Sequence, residues 1–263
     1  MADPASPPKA PATRAPVSGT RILLYQFLVL AVILAAWEIL IHLGVIKAYI
    51  YGTPSGVIAA FGEQIASGVL IRHFWVTLQE VILGFLIGSL FGTLSGLALW
   101  LSPLWARILH PYMVALNGVP KISLAPLIVV WFGLGMGSKV AIAAIITFIV
   151  AFITSYNGTQ QVDQDWVRLM RSLGARPLQI FRTIIVPGSL PWVVAAFRLN
   201  VGFALIGAVV GEYISAEEGL GYHVYYSGQL YDLDSVWVGI FSLMIMALML
   251  EVVVAWIEKR LTY

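Results

Sequence analysis

Apolar residues run with few interruptions over six stretches of the chain, near 22–43, 75–100, 109–132, 138–157, 190–214 and 236–257. Each approaches or exceeds the roughly 20 residues that an α-helix needs to cross the hydrocarbon of a bilayer. Backbone groups inside lipid must be satisfied within the element itself, so long apolar runs of this kind are helices. The pattern predicts an all-α polytopic membrane protein with about six transmembrane helices. Residues 1–21 hold five prolines and no apolar core. They read as a disordered tail ahead of a transmembrane domain over 22–263, and the first run has spanning length with no small-residue cleavage site, so it is retained as a span.

Composition agrees with this pattern: 60% of residues are hydrophobic and 11% charged, against about 25% charged in ordinary soluble domains. A net charge of +2 is too small to suggest a nucleic-acid partner. With no cysteine, a disulfide framework and a thiolate metal site are both excluded. The placement of charge says more. Lys9, Arg14 and Arg21 precede the first run, Arg107 separates the second from the third, four arginines separate the fourth from the fifth, and Lys259 and Arg260 follow the sixth. The alternate loops hold only Lys47, Arg72 and Lys139, and 215–235 has four acidic residues without a Lys or Arg. The positive-inside rule then puts both termini in the cytoplasm, which an even number of spans requires.

Inside the second run Gly84, Gly88, Gly92 and Gly96 recur at every fourth position, beside Ser89, Thr93 and Ser95. Such a surface lets another helix approach closely, either within the chain or in a second subunit. The third run carries Pro111, Pro120 and Pro126, so it is expected to kink where protein or a water-filled cavity receives the freed carbonyls. Lys121, Arg198 and Glu212 are charges within spans, costing about 2.5–3.5 kcal/mol each at mid-bilayer. Lys121, next to the break at Pro120, is the candidate to meet an anion in a cavity, or else pairs with a carboxylate or with kink carbonyls. Arg198 either lines the pathway or snorkels to the headgroups, and Glu212 either serves transport or is hydrated near the outer end. Fourteen residues at 1.5 Å each keep Arg198 and Glu212 roughly 21 Å apart. Glu38 and Glu80, near other span ends, read as packing or interfacial residues.

Residues 158–187 break the apolar pattern with Arg168, Arg171, Arg176, Arg182, Asp163 and Asp165. Val167 and Met170 lie on one face of a first short helix, and Leu178, Phe181 and Ile185 on one face of a second. Gly174 and Pro177 separate them as a turn and a helix start. The result is a helix, turn, helix elbow with an apolar stripe, suited to a protein groove.

Leu173-Gly174-Ala175, Phe181, Ile185-Val186-Pro187 and Leu190-Pro191 resemble the cytoplasmic EAA loop of permease subunits of bacterial ABC importers. Further agreement with the nitrate, sulfonate and taurine branch comes from Trp37-Glu38, Thr77-Leu78 to Gly84-Phe85, Val119-Pro120-Lys121 to Ala125-Pro126-Leu127, Trp131-Phe132-Gly133, Ser138-Lys139, Arg198 to Gly211-Glu212, and Gly219-Leu220-Gly221-Tyr222. The chain departs from the pattern at Arg168-Leu169-Met170, where the family usually has Glu-Ala-Ala.

The resemblance implies a type I ABC importer permease fold in the bacterial inner membrane, with a cytoplasmic coupling helix. It implies a second permease copy in a homodimer, two ABC ATPase subunits, and a periplasmic or lipid-anchored solute-binding protein near Tyr222, Tyr225, Tyr226 and Tyr231, which otherwise read as an interfacial aromatic belt. Arg168, Met170, Arg171, Ser172, Leu173, Gly174, Ala175, Leu178 and Phe181 would couple to the ATPases. Pro120, Lys121, Arg198 and Glu212 would border a pathway for a small solute such as a sulfonate or nitrate. ATP and Mg would sit on the partner subunit, with no cofactor on this chain.

Consistent with that, no lysine follows a glycine, so no phosphate-binding loop is present. Four scattered histidines lack H-x-x-x-H spacing, and Ser95 is not in a nucleophile elbow, which leaves little for an enzyme. The rival reading is an ion-coupled secondary transporter relaying through Lys121, Arg198 and Glu212.

Overall fold

The computed structural model describes residues 19–261, and the side chains from 23 to 260. The expected tail falls mostly on residues 1–18, outside the described residues; the first helix, α1, is Gly19–His42. Short α2 (Ala48–Tyr51) and α3 (Pro54–Ala66) follow, then α4 (Val69–Ala98), α5 (Pro103–Gly118), α6 (Ala125–Phe132), α7 (Met136–Gln160), α8 (Gln164–Ser172), α9 (Pro177–Ile180), α10 (Val186–Ser215), α11 (Leu220–Gln229) and α12 (Leu233–Leu261).

Helices α4, α7 and α10 form the centre. The glycine face of α4 lies against α7: a methyl at Gly92 would stand 2.5 Å from the Phe148 carbonyl oxygen, one at Gly88 would run into Thr147 and the Ala144 carbonyl, and those at Gly84 and Gly96 would strike Ala143 and Phe152. The small stripe is therefore filled from within the chain, by backbone contact close enough for van der Waals attraction to hold helices in lipid. On the third side Gly207 admits Ala143, whose Cα would lie 2.7 Å from an added methyl.

Polar groups follow the same inward rule. The Asn200 amide on α10 donates to Ser89 Oγ on α4 and to the Thr147 carbonyl on α7, both at 2.9 Å. Thr147 returns its hydroxyl to the Ala143 carbonyl at 2.8 Å. Leu83, Leu86, Leu90 and Phe91 point outward instead. An apolar exterior around a hydrogen-bonded interior is what a bilayer selects.

Among the described residues five helical segments are long and apolar enough to span, with α5 and α6 as a sixth only if taken together, because they meet at 94°. The third expected span is thus sharply folded. Pro111 is accommodated inside α5, and Pro126 sits in the first turn of α6, where its missing N–H is harmless. Pro120 marks the break, and its carbonyl accepts from the Ser123 hydroxyl at 2.6 Å.

At one end α12 ties down the chain before α4. Asp234 Oδ1 accepts from the Thr53 N–H at 2.7 Å, and the Trp237 indole donates to the Tyr51 carbonyl at 2.8 Å. Helix α1 joins the same corner through Ser55, whose hydroxyl donates to Glu38 at 2.8 Å, and through Trp37, tilted against Trp237 with 5.1 Å between ring centroids. From Leu23 to Ile33 the large apolar side chains of α1 are exposed.

Candidate functional site

Two regions concentrate the chemistry, at opposite ends of the central helices. The first is the elbow between α7 and α10. Asp163 starts α8 by accepting from the Asp165 N–H at 2.9 Å. The helix closes in a Schellman pattern, with Ala175 N–H bonded to Met170 O and Gly174 N–H to Arg171 O, each at 3.0 Å. That pattern needs a left-handed residue, and Gly174 supplies it with φ +79°. Gln179 then accepts from the Arg176 N–H at 2.7 Å to open α9. A π-helical turn, Phe181–Ile185, leads directly into α10, so the elbow is continuous with a central helix.

Its apolar residues divide in a way the sequence reading did not anticipate. Val162, Val167, Ile180 and Ile185 are buried together, with Met170, Ala175 and Phe181 packed on them and Trp100 stacked near Phe181 at 6.1 Å between centroids. Of the expected docking stripe, Val167, Met170, Phe181 and Ile185 therefore root the elbow in the chain, and Leu178 alone stays outside. The reason is that two short helices folded on each other must bury one face mutually before either can offer one. The outward apolar residues are Trp166 and Leu169 on α8 and Leu173 at its C-terminal cap, spaced three and four apart, with Leu178 on α9. Arg168 pairs with Asp165 at 3.3 Å on the surface, and Arg171 and Ser172 are also exposed.

The second region is the far end of α4, α7 and α10. Glu212 is 1% exposed, not hydrated as its place near a span end suggests. It accepts from the Thr77 hydroxyl at 2.6 Å and from the Gly221 N–H at 2.5 Å. Thr77 in turn accepts from the Leu220 N–H at 2.7 Å, and His73 Nδ1 from the Gly219 N–H at 3.0 Å. Three successive N–H groups at the start of α11 are thus held by side chains of α4 and α10, as the open donors of a helix start require. Gly219, at φ +113°, and Gly221 leave the room: a methyl at Gly221 would stand 2.6 Å from Glu212 Oε2.

Glu80 and Lys139 complete this cluster, each 2% exposed. Glu80 lies within hydrogen-bonding reach of Glu212. The Lys139 ammonium donates to the Ser215 carbonyl at 2.5 Å, to Gly135 O at 3.2 Å and to Leu134 O, joining the end of α10 to the turn before α7. From sequence Lys139 reads as a loop residue and Glu80 as a packing or interfacial one; the structure buries both, and Glu80 packs between helices. Spacing carried a signal for Glu80: Thr77, Glu80 and Gly84 stand three and four apart, on the face that continues the glycine stripe. Nearby, His223 on α11 stacks with His73 at 5.4 Å, and burial pushes its imidazole below the ordinary histidine range against the pull of Asp232.

Lys121, Arg198 and Glu212 are not brought together. Arg198 pairs with Glu258 of α12, toward the elbow end. Lys121 stands in the turn between α5 and α6, half-buried, without a hydrogen bond or ion pair among the described residues. A relay through these three residues has no continuous path. No cluster of metal-binding side chains occurs among the described residues.

Comparison with known proteins places this geometry. Residues 84–263 match the family "Binding-protein-dependent transport system inner membrane component". A probable ABC transporter permease protein of Haemophilus influenzae is 32% identical over 90% of this chain and 96% of its own length. The taurine transport system permease protein of Escherichia coli is 31% identical over 89% and 86%. In structure the chain resembles an inward-facing MetNI methionine ABC transporter, with a TM-score of 0.65 at 20% identity over 74% of this chain and 97% of that one, a likeness of fold. A chain whose spans pack as in that transporter, and whose sequence matches permeases along most of its length, belongs to the inner-membrane components of binding-protein-dependent transport systems, the permeases of ABC importers.

Proposed function

We propose that the α8–α9 elbow is the element through which partner ATPases drive this permease. The observation that carries the reading is the two-sided build of the elbow. One apolar face is buried against the chain and runs through the π turn into α10, while Trp166, Leu169 and Leu173 are presented outward among exposed arginines. A rigid body with one face anchored and the other free transmits displacement, and the outward face has the spacing of a helix that seats in a groove. In this reading two permease copies and two ATPases assemble in the bacterial inner membrane, with both termini and the elbow in the cytoplasm. A solute-binding protein delivers at the α11 end. ATP and Mg stay on the ATPases, and the permease itself catalyses nothing.

The solute is a small organic molecule. The taurine relative supports a sulfonate-bearing class, and Lys121, a cation without a partner among the described residues at the α5–α6 fold, supports contact with an anionic group. Gly174→Val tests the coupling role. No atom lies within 4 Å of a methyl built there, so the substitution acts through its φ of +79° alone, at a cost of about 1–2 kcal/mol. In proteoliposomes containing the whole transporter, ATP hydrolysis should persist while uptake per ATP falls at least about tenfold. Unchanged uptake per ATP would refute the reading.

A further inference from the structure

At the elbow end a cavity of about 390 Å³ lies where the start of α5, the last turns of α7 and the elbow meet. Arg107 of α5 and Arg171 of α8 border it from different elements, and among the described residues no Asp or Glu does. Arg72, Arg168 and Arg198 each have a carboxylate partner. The guanidiniums of Arg107 and Arg171 have no hydrogen bond or ion pair among the described residues, and both are exposed. Arginine stays charged in proteins and presents five N–H donors in a fixed plane. Two of them on one cavity, with no acid between them, leave positive potential uncompensated. Helix α5 begins at Pro103, on the rim, so the positive end of its dipole adds to that field.

The surroundings select the anion. Trp100 borders the cavity, and Leu101, Leu104 and Trp105 expose apolar side chains beside it. Indole rings at the ends of spans mark the level of lipid headgroups. A basic hollow between spans at that level suits the headgroup of an anionic lipid, and guanidinium planes match phosphate oxygens in a paired, two-bond geometry. We infer that this cavity is a lipid site in which Arg107 and Arg171 together hold the phosphodiester of an anionic phospholipid, whose chains lie along the exposed leucines. A zwitterionic headgroup fits less well, because its own ammonium neutralises the phosphate and the cavity offers that ammonium no carboxylate. Free phosphate has the charge but nothing to lay on the apolar rim. A phosphate held by both arginines links α8 of the elbow to α5, the first half of the folded span. The inference needs the chain to sit in a bilayer and does not use the coupling role of the elbow.

The test uses the permease with its ATPases, stripped of lipid in a nonionic detergent. Melting is followed against dioctanoyl phosphatidylglycerol, dioctanoyl phosphatidylcholine and inorganic phosphate at matched ionic strength. Phosphatidylglycerol should raise the melting temperature saturably, at a midpoint at least about tenfold below that of phosphatidylcholine, and phosphate should have no effect in that range. Arg107→Gln and, separately, Arg171→Gln should each raise the phosphatidylglycerol midpoint at least about tenfold. Arg72→Gln, at the other end of the core, should leave it unchanged. Equal midpoints for the two lipids, or unaltered midpoints in both cavity variants, would overturn the inference, as would an equal loss in Arg72→Gln. Stabilisation by inorganic phosphate at the same midpoint as the lipid would make this a site for a soluble anion and overturn the lipid assignment. Because Arg171 is exposed, its variant decides the matter even where Arg107→Gln does not fold.

Discussion

The two ends of the α4–α7–α10 core treat charge in opposite ways. At the α11 end Glu80, Lys139 and Glu212 are buried, and Lys139 and Glu212 are joined to backbone groups of several helices. At the elbow end Arg168, Arg171 and Arg176 are exposed, and burial falls to Val167, Ile180 and Ile185. Buried charge is tolerated only when its partners are fixed, so the first end is held in one geometry by the groups it must satisfy. Exposed charge contributes little to stability and is free to select a partner. If the elbow engages the ATPases as proposed, stability and recognition are segregated along the same three helices, and substitutions should separate them.

The largest effect belongs to the core that both ends share. Gly88→Leu drives a side chain into Thr147 and the Ala144 backbone, where no rotamer escapes. A loss of at least about 3 kcal/mol is expected, seen as failure to recover folded protein from membranes. Normal yield and melting would mean that α4 and α7 do not meet as described.

Next comes a pair that contrasts the ends. Glu212→Ala leaves the Gly221 N–H buried without an acceptor and the Thr77 hydroxyl with only the His73 carbonyl at 3.2 Å, costing up to about 3 kcal/mol. Arg171→Ala removes an exposed side chain and should change melting by no more than about 0.5 kcal/mol. Equal destabilisation by the two would erase the distinction between ends.

The smallest effect is a pH dependence. Because burial holds the His223 imidazole below its ordinary 6.5, the unfolded chain binds the extra proton first as pH falls, and stability drops below that value. Above it His223 is neutral in both states and contributes no slope. His223→Gln should flatten the stability profile between about pH 6.5 and 5.5 by no more than about 1.4 kcal/mol per pH unit. A profile unchanged by the substitution would place His223 in water.

Much of this architecture was legible because lipid simplifies the code. Apolar length marks the spans, and four glycines at period four mark a close helix contact. What could not be read is tertiary in origin. Lys139 looks like a loop residue until the Ser215 carbonyl at the end of α10 arrives from 76 residues away. The inner and outer faces of the elbow share one composition, and only the fold of α9 back toward α8 decides that Met170 and Phe181 turn inward while Leu169 and Leu173 turn out. The right-angle fold between α5 and α6 had a sign in Pro120, but a proline marks a break without setting its angle.

The central claim is that the outward face of α8 receives the force that moves the spans. Leu173→Glu in the assembled transporter tests it most directly, because Leu173 is 73% exposed and outside the buried cluster. The account predicts a permease that inserts and melts as before but co-purifies with at least about tenfold less ATPase, as expected for charge placed in an apolar contact. Full ATPase retention with undiminished uptake would contradict it.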